Sequence, residues 1–328
     1  DRLPRGRRLA YWAQAEAVAL ATDLAEVLGG AIALKILFGI PLVWGGLIVG
    51  VVSMLILAVQ TRSGQRPFEL TVMGLLLVIT IGFTAGLFVS DVSWPETANG
   101  LVPRFDGSES VLLAASMLGA TVMPHAIYVH SALARDRHGH RPDELPRILQ
   151  ATRWDVGLSM LVAGAVNIAM LLLAAASLQG VAGTDSIEGA HAAITDALGP
   201  AFGVLFGIGL LASGLASTSV GCYAGATIMN GLLRIKVPLV VRRAVTLVPA
   251  LAILAAGVNP TTALVLSQVF LSLGIPFALI PLVRITSDRT LMGRHVNGRP
   301  LQVTAWVVIA LVIALNLALV GLTVLGWG

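Results

Sequence analysis

Long apolar runs separated by short polar breaks make up most of this chain. Runs of about 20 apolar residues are long enough to cross a bilayer as a helix. On that basis the pattern predicts nine spans, near 11–38, 41–60, 68–90, 110–134, 154–178, 199–230, 237–257, 260–285 and 302–326. The thinnest division is the first, where only Phe38-Gly39-Ile40-Pro41 separates two apolar stretches. The connections are short, so 1–328 is expected to be a single transmembrane unit with no soluble domain.

Polar residues within the runs matter more than those between them. The fourth run contains GATVMPHAIYVHSAL (119–133). Pro124 has no N–H to give, so the carbonyl of Ala120 loses its helical partner, and Met123 is biased away from helical geometry. Irregular backbone at membrane depth survives only where it lines a cavity or is buried in protein, and broken helices of this kind form the binding sites of secondary transporters. The break offers a carbonyl (Ala120), a thioether (Met123) and, just beyond, an imidazole (His125). A buried His125 could relay protons, bind metal or hydrogen-bond to backbone. His130 reads as gating or structural.

The first run carries three carboxylates, Glu16, Asp23 and Glu26. At 100° per residue Asp23 lies about 20° from Glu16 and Glu26 about 60° from Asp23, so all three share one face over roughly 15 Å. Intramembrane carboxylates are expensive unless they face a bundle interior and find partners. The column suits either a proton relay or a set of structural ion pairs. Arg242 and Arg243, one or two turns inside the seventh run, are the expected partners of the acids, although their place near a boundary also suits simple anchoring. In the fifth run Asn167 must find a partner, with helix packing the default role. In the eighth, Gln268 stands mid-membrane shortly before Gly274-Ile275-Pro276, a plausible cavity position.

Composition agrees with the pattern. The chain is 56% hydrophobic and 12% charged, where soluble domains carry about 25% charged residues. Its single cysteine rules out an internal disulfide, and its 35 glycines suit close helix approach in lipid. With the residue 1 end inside and nine alternating spans, 19 of the 21 Lys and Arg fall on the inner side, leaving Lys35 and Arg104 outside. That obeys the positive-inside rule and puts the residue 1 end in the cytoplasm and the C-terminus outside. The outer connections hold Asp91, Glu96, Asp106, Glu109, Asp185, Glu188 and Asp196, a mild attraction for cations. Without a P-loop, CxxC or G-x-S-x-G, neither an enzyme nor a nucleotide-driven pump is expected, and transport must run on ion gradients. No nucleic-acid partner is implied.

ATVMPHxxYxHSAL closely resembles the sixth helix of the Nramp (natural resistance-associated macrophage protein) family, proton-coupled importers of divalent transition metals, and ATDLAEVLGG resembles that family's third helix. The likeness runs through the whole chain, matching family helices three to eleven in order. It implies an all-α integral membrane protein of the LeuT-like inverted-repeat type. Residues 1–92 would be the last three helices of the first repeat, 108–288 the second repeat and 301–328 an extra C-terminal helix. It implies import of Mn2+ or Fe2+ with H+ across the plasma membrane and no bound cofactor. It further implies Met123 and Ala120 as metal ligands, Gln268 as a ligand in an occluded state, and Asp23, Glu26 and Glu16 as the acids of a proton path. Arg243 is the better relay candidate of the two arginines, and His125 belongs to gating and proton movement.

One departure stands out. The family's first-helix Asp-Pro-Gly-Asn motif, source of its principal ligands, occurs nowhere in these 328 residues, and Arg2 to Arg8 resembles the connection before the third helix. Since the chain opens on Asp1, a piece of a longer protein, or one with a misplaced start, is expected. Thioether sulfur favours Mn2+, Fe2+ and later transition ions over Mg2+ or Ca2+. The competing readings are a sodium-coupled amino-acid or other organic-solute symporter on the same fold, and a transport-inactive fragment.

Overall fold

The computed structural model describes residues 4–63, 65–102, 104, 107–139, 144–235 and 237–325. Of the charges placed above, Arg2, Asp106, Arg141 and Lys236 lie outside the described residues. Among the described residues thirteen α-helices follow one another: α1 (Arg5–Phe38), α2 (Leu42–Ser63), α3 (Gln65–Leu87), α4 (Trp94–Gly100), α5 (Gly107–Thr121), α6 (Pro124–His138), α7 (Leu145–Ser177), α8 (Ile187–Leu198), α9 (Pro200–Leu233), α10 (Leu239–Ala255), α11 (Pro260–Thr286), α12 (Arg289–Met292) and α13 (Arg299–Leu325). Among the described residues there is no strand.

Seven stretches among the described residues are long and apolar enough to span a membrane, including the broken α5–α6 unit taken whole from Gly107 to Arg135. The other two expected spans are helical but shorter: the apolar part of α2 runs Leu42–Ala58, and α10 is 17 residues long. The division at 38–41 is real. Gly39 ends α1 in the left-handed region (φ 69°), its N–H returning to the Lys35 carbonyl, a stop that glycine adopts without a Cβ penalty.

Helix α1 is the axis of the bundle, with α9, α11, α2 and α10 all packed on it. Its meeting with α9 is set by glycines seven residues apart on one stripe of α9. A Cβ at Gly207 would lie 2.7 Å from Leu37, one at Gly214 would lie 2.9 Å from the Glu26 carbonyl, and one at Gly221 would lie 3.3 Å from Asp23 Oδ1. Small residues therefore bring two backbones together where the first run keeps its acids. On another side, Val27, Leu28 and Ala31 of α1 form a dry core with Leu247, Ala250 and Leu254 of α10. Helix α11 packs between α5, α1 and α13, which brings it against the α5–α6 break.

Asn167 departs from expectation. It is exposed on α7 instead of bonded to a neighbouring helix. Helix α7 lies at the edge of the bundle, chiefly against α3, so a residue on its outer face meets no other helix of the described chain. Asn167 therefore does not act as packing glue among the described residues.

Candidate functional site

The break forms where the proline demands it. Helix α5 ends at Thr121, Met123 is extended (φ −82°, ψ 114°), and α6 restarts with Pro124 at its first position. Proline suits that position because the missing N–H would be unpaired there anyway. The result is a last-turn carbonyl at Ala120, a thioether, and the N-terminal end of α6, all in one short gap. Ala120 is exposed and Met123 half-buried, whereas His125 is only 3% exposed and its Nδ1 has no hydrogen-bond partner.

Helix α11 backs the gap at very short range. A Cβ on Gly119 would lie 1.8 Å from the Gln268 carbonyl oxygen, so only glycine allows α5 to sit this close. Nearly two turns further, Gly274 faces Val18 and Gln14 of α1 and stands beside Pro124, whose Cγ would be 3.5 Å from an added Cβ. Gln268 thus stands at the α5–α11 contact, opposite Gly119, which immediately precedes Ala120. Its Nε2 donates to Ser267 Oγ at 3.2 Å, while its Oε1 is buried with no partner. A buried amide oxygen without a donor is costly, and a cation offers it what no neighbouring side chain does. No group of three or more His, Cys, Asp or Glu able to hold a metal occurs among the described residues; the donors named at the gap, a carbonyl, a thioether and an amide, are themselves neutral.

The acids of α1 form a second centre. Glu16 pairs with Arg242 (Nη2 to Oε1, 2.7 Å), and Asp23 pairs with Arg243 (Nη1 to Oδ1, 3.5 Å), the latter two being essentially inaccessible. Arg242 lies across Gly225 of α9, where a Cβ would come within 1.8 Å of Nη2, and its Nη1 meets the Met229 sulfur at 3.1 Å. Arg243 donates from Nε to Ser53 Oγ of α2 at 2.7 Å, and that hydroxyl donates to the Gly50 carbonyl at 2.8 Å. The Asp23–Arg243 contact is a long ion pair, and the Thr246 hydroxyl of α10 also lies against Asp23. Glu26 departs from expectation. Neither arginine pairs with it, and the Ser217 hydroxyl of α9 is its partner. The reason is height: one turn beyond Asp23, Glu26 passes the reach of residues anchored near the start of α10.

The two centres are joined by α1, since Gln14 and Val18 touch Gly274 beside the break while Glu16 and Asp23 hold the arginines. His130 is exposed on α6 and Asn167 on α7, and neither belongs to either centre. Sequence reading missed Ser53. Its signal was a lone hydroxyl in the second apolar run, too common a feature to single out.

A helix broken at Met-Pro-His thus packs against the helix that carries Gln268, and buried acid–arginine pairs join α1 to α10 beside it. The profile described as natural resistance-associated macrophage protein-like covers residues 1–322. The chain belongs to the Nramp family. It is 60% identical over 328 residues to the divalent metal cation transporter MntH of Mycobacterium tuberculosis, covering 99% of this chain and 76% of that protein. It is 44% identical over 319 residues to the MntH of Klebsiella pneumoniae, covering 96% of this chain and 76% of that one. A crystal structure of an Eremococcus coleocola manganese transporter mutant superposes with a TM-score of 0.82 at 30% identity, covering 96% of this chain and 72% of the other. The fold is accordingly the all-α, LeuT-like bundle of Nramp transporters, in a multi-pass membrane protein.

Proposed function

We propose that this chain carries divalent transition metal ions, Mn2+ or Fe2+, across the plasma membrane together with protons, by alternating access. The observation that carries the reading is the α5–α6 gap, where the Ala120 carbonyl and Met123 sulfur adjoin a helix bearing a buried, unpartnered Gln268 Oε1. A thioether beside amide oxygens favours a borderline transition ion over Ca2+ or Mg2+, which prefer an all-oxygen shell. An amino-acid substrate, the rival on this fold, calls for donors to a carboxylate and gains nothing from sulfur.

Protons take the other centre. Asp23 and Arg243 meet at a long 3.5 Å, and Glu26 one turn along pairs with neither arginine and lies against the Ser217 hydroxyl. His125 stands buried between the break and the bundle with an open ring nitrogen. Glu16 with Arg242 continues the chain of ionisable groups toward the end of α1 that holds residue 5. In this scheme α1–α3 belong to a first repeat, α5–α11 form the second, and α13 is added. The residue 1 end lies in the cytoplasm.

The test is uptake in proteoliposomes made with the intact protein. Mn2+ should enter and acidify the lumen, the rate should fall when a protonophore collapses an inward proton gradient, and removing Na+ should change nothing. Asp23→Asn should abolish metal-driven acidification while some Mn2+ binding survives. Sodium dependence, or uptake of an amino acid without metal, would transfer the chain to the rival class.

A further inference from the structure

Helix α11 has two interior prolines, Pro276 and Pro281. Each lacks an N–H, so the carbonyls four residues back, those of Ser272 and Phe277, have no helical donor. Both are taken up by side chains of other helices. Asn316 of α13 donates from Nδ2 to the Ser272 carbonyl at 3.1 Å, and Ser272 Oγ donates in return to Asn316 Oδ1 at 2.9 Å. Tyr11 of α1 donates its hydroxyl to the Phe277 carbonyl. The Tyr11 oxygen also stands 3.0 Å from the Tyr128 hydroxyl of α6. Tyr11 has one proton and gives it to Phe277, so Tyr128 is the donor in that second bond.

The two bonds differ in setting. Ser272 is fully buried and Asn316 is 6% exposed, so neither group has water to fall back on. Tyr11 and Tyr128, by contrast, line a cavity of about 720 Å3 shared with Ser131, Tyr223, Thr227 and Asn230. If Tyr11 lets go there, water can take its place on the Phe277 carbonyl. The first bond is a pivot and the second a releasable latch. Their positions bear on the candidate metal site: Gln268 lies one turn before Ser272 on α11, and Pro124 lies one turn before Tyr128 on α6.

We propose that Asn316 and Tyr11 are positioning residues for transport, capping the two carbonyls that Pro276 and Pro281 free in α11, with the Tyr128–Tyr11–Phe277 chain tying the bend of α11 to α6. Through this tie the Gln268 side and the Met123 side of the metal site move together. The link to transport rests on the function proposed above, whereas the latch itself can be read without transport.

The experiment compares Tyr11→Phe, Tyr128→Phe and the double variant, which keep the rings, with Asn316→Leu and Ser272→Ala in proteoliposomes. Rates are taken per amount of folded protein, with thermal melting as the check on folding. Each tyrosine variant should lower the maximal Mn2+ rate about fivefold or more with KM within about twofold, and the double variant should lose no more than either single, as expected when two groups act in one chain. Asn316→Leu should raise KM, and Ser272→Ala, which keeps the carbonyl bond, should raise it less. As a readout independent of transport, a Ser131→Cys reporter in the cavity wall should react with a water-soluble thiol reagent about threefold faster or more once Tyr11→Phe opens the latch. Native Cys222 is buried and contributes little background. Additive losses in the double variant, or labelling that is unchanged or slower in Tyr11→Phe, would overturn the proposal. Absence of Mn2+ uptake by the parent protein would sink the proposed function, and labelling would still decide the latch.

Discussion

A guanidinium with no access to water stays in a protein only if its charge is matched, and Arg243 is such a group. Among the described residues it pairs with Asp23 and donates a hydrogen bond to Ser53. Removing one member of a buried pair leaves the other uncompensated, at a loss of about 3–5 kcal/mol, whereas replacing both with apolar groups is often neutral or stabilising. Arg243→Leu is therefore expected to lower the melting temperature sharply, and Asp23→Leu combined with Arg243→Leu to recover most of it without restoring proton movement. Thermal melting in detergent and an acidification assay check the two halves. A double variant as unstable as the single would mean that Arg243 is needed for more than charge balance. Met123 is the residue on which metal choice turns. Met123→Ala should reduce the preference for Mn2+ over Ca2+ in competition uptake, because sulfur contributes to the first ion and little to the second. Unchanged discrimination would remove the thioether from the selectivity argument.

At the scale of helices, the site depends on backbones that nearly touch. Gly119 allows α5 to meet α11 at the Gln268 carbonyl, and an added methyl carbon there would overlap a backbone atom that cannot swing aside. Gly119→Ala should push α5 from α11, separate Ala120 and Met123 from Gln268, and cut Mn2+ uptake at least tenfold, which corresponds to about 1.4 kcal/mol or more. Gly74→Ala, with nothing within 4 Å of its added carbon, should transport normally and be slightly stabilised by the better helix former. Equal behaviour of the two variants would show that the α5–α11 approach is not required. The same logic covers the stripe of Gly207, Gly214 and Gly221, which holds α9 against the acid-bearing face of α1.

For the molecule as a whole, the charge distribution predicts orientation. Lys35 at the far end of α1 pairs with Glu188 of α8 at 3.1 Å, so two residues assigned to the outer side meet in space. Cysteines introduced at Glu96 and at Arg294 should react differently with a membrane-impermeant reagent on intact cells, the first labelling and the second protected until the membrane is permeabilised. Both labelling from outside would defeat the nine-span alternation. The chain spans 76% of the M. tuberculosis and K. pneumoniae relatives it matches.

Much of this protein was legible in the order of its residues. A long apolar run must become a helix once water is excluded, because every backbone polar group needs an internal partner. A proline must free the carbonyl four residues back. Those two rules, with the spacing of Glu16, Asp23 and Glu26, placed the spans, the break at Met123 and the acidic face without reference to any contact. What the pattern did not contain was the pairing across helices. That Arg243 rather than Arg242 meets Asp23, that Glu26 is left to Ser217, that Asn167 faces outward, and that Asn316 and Tyr11 serve prolines distant in sequence all depend on the angle at which helices cross. Glycines at which an added Cβ would fall 1.8 to 3.3 Å from the neighbouring helix allow that close packing. Hydrophobic periodicity along one helix carries no information about which neighbour it will meet, so only the assembled bundle could decide it.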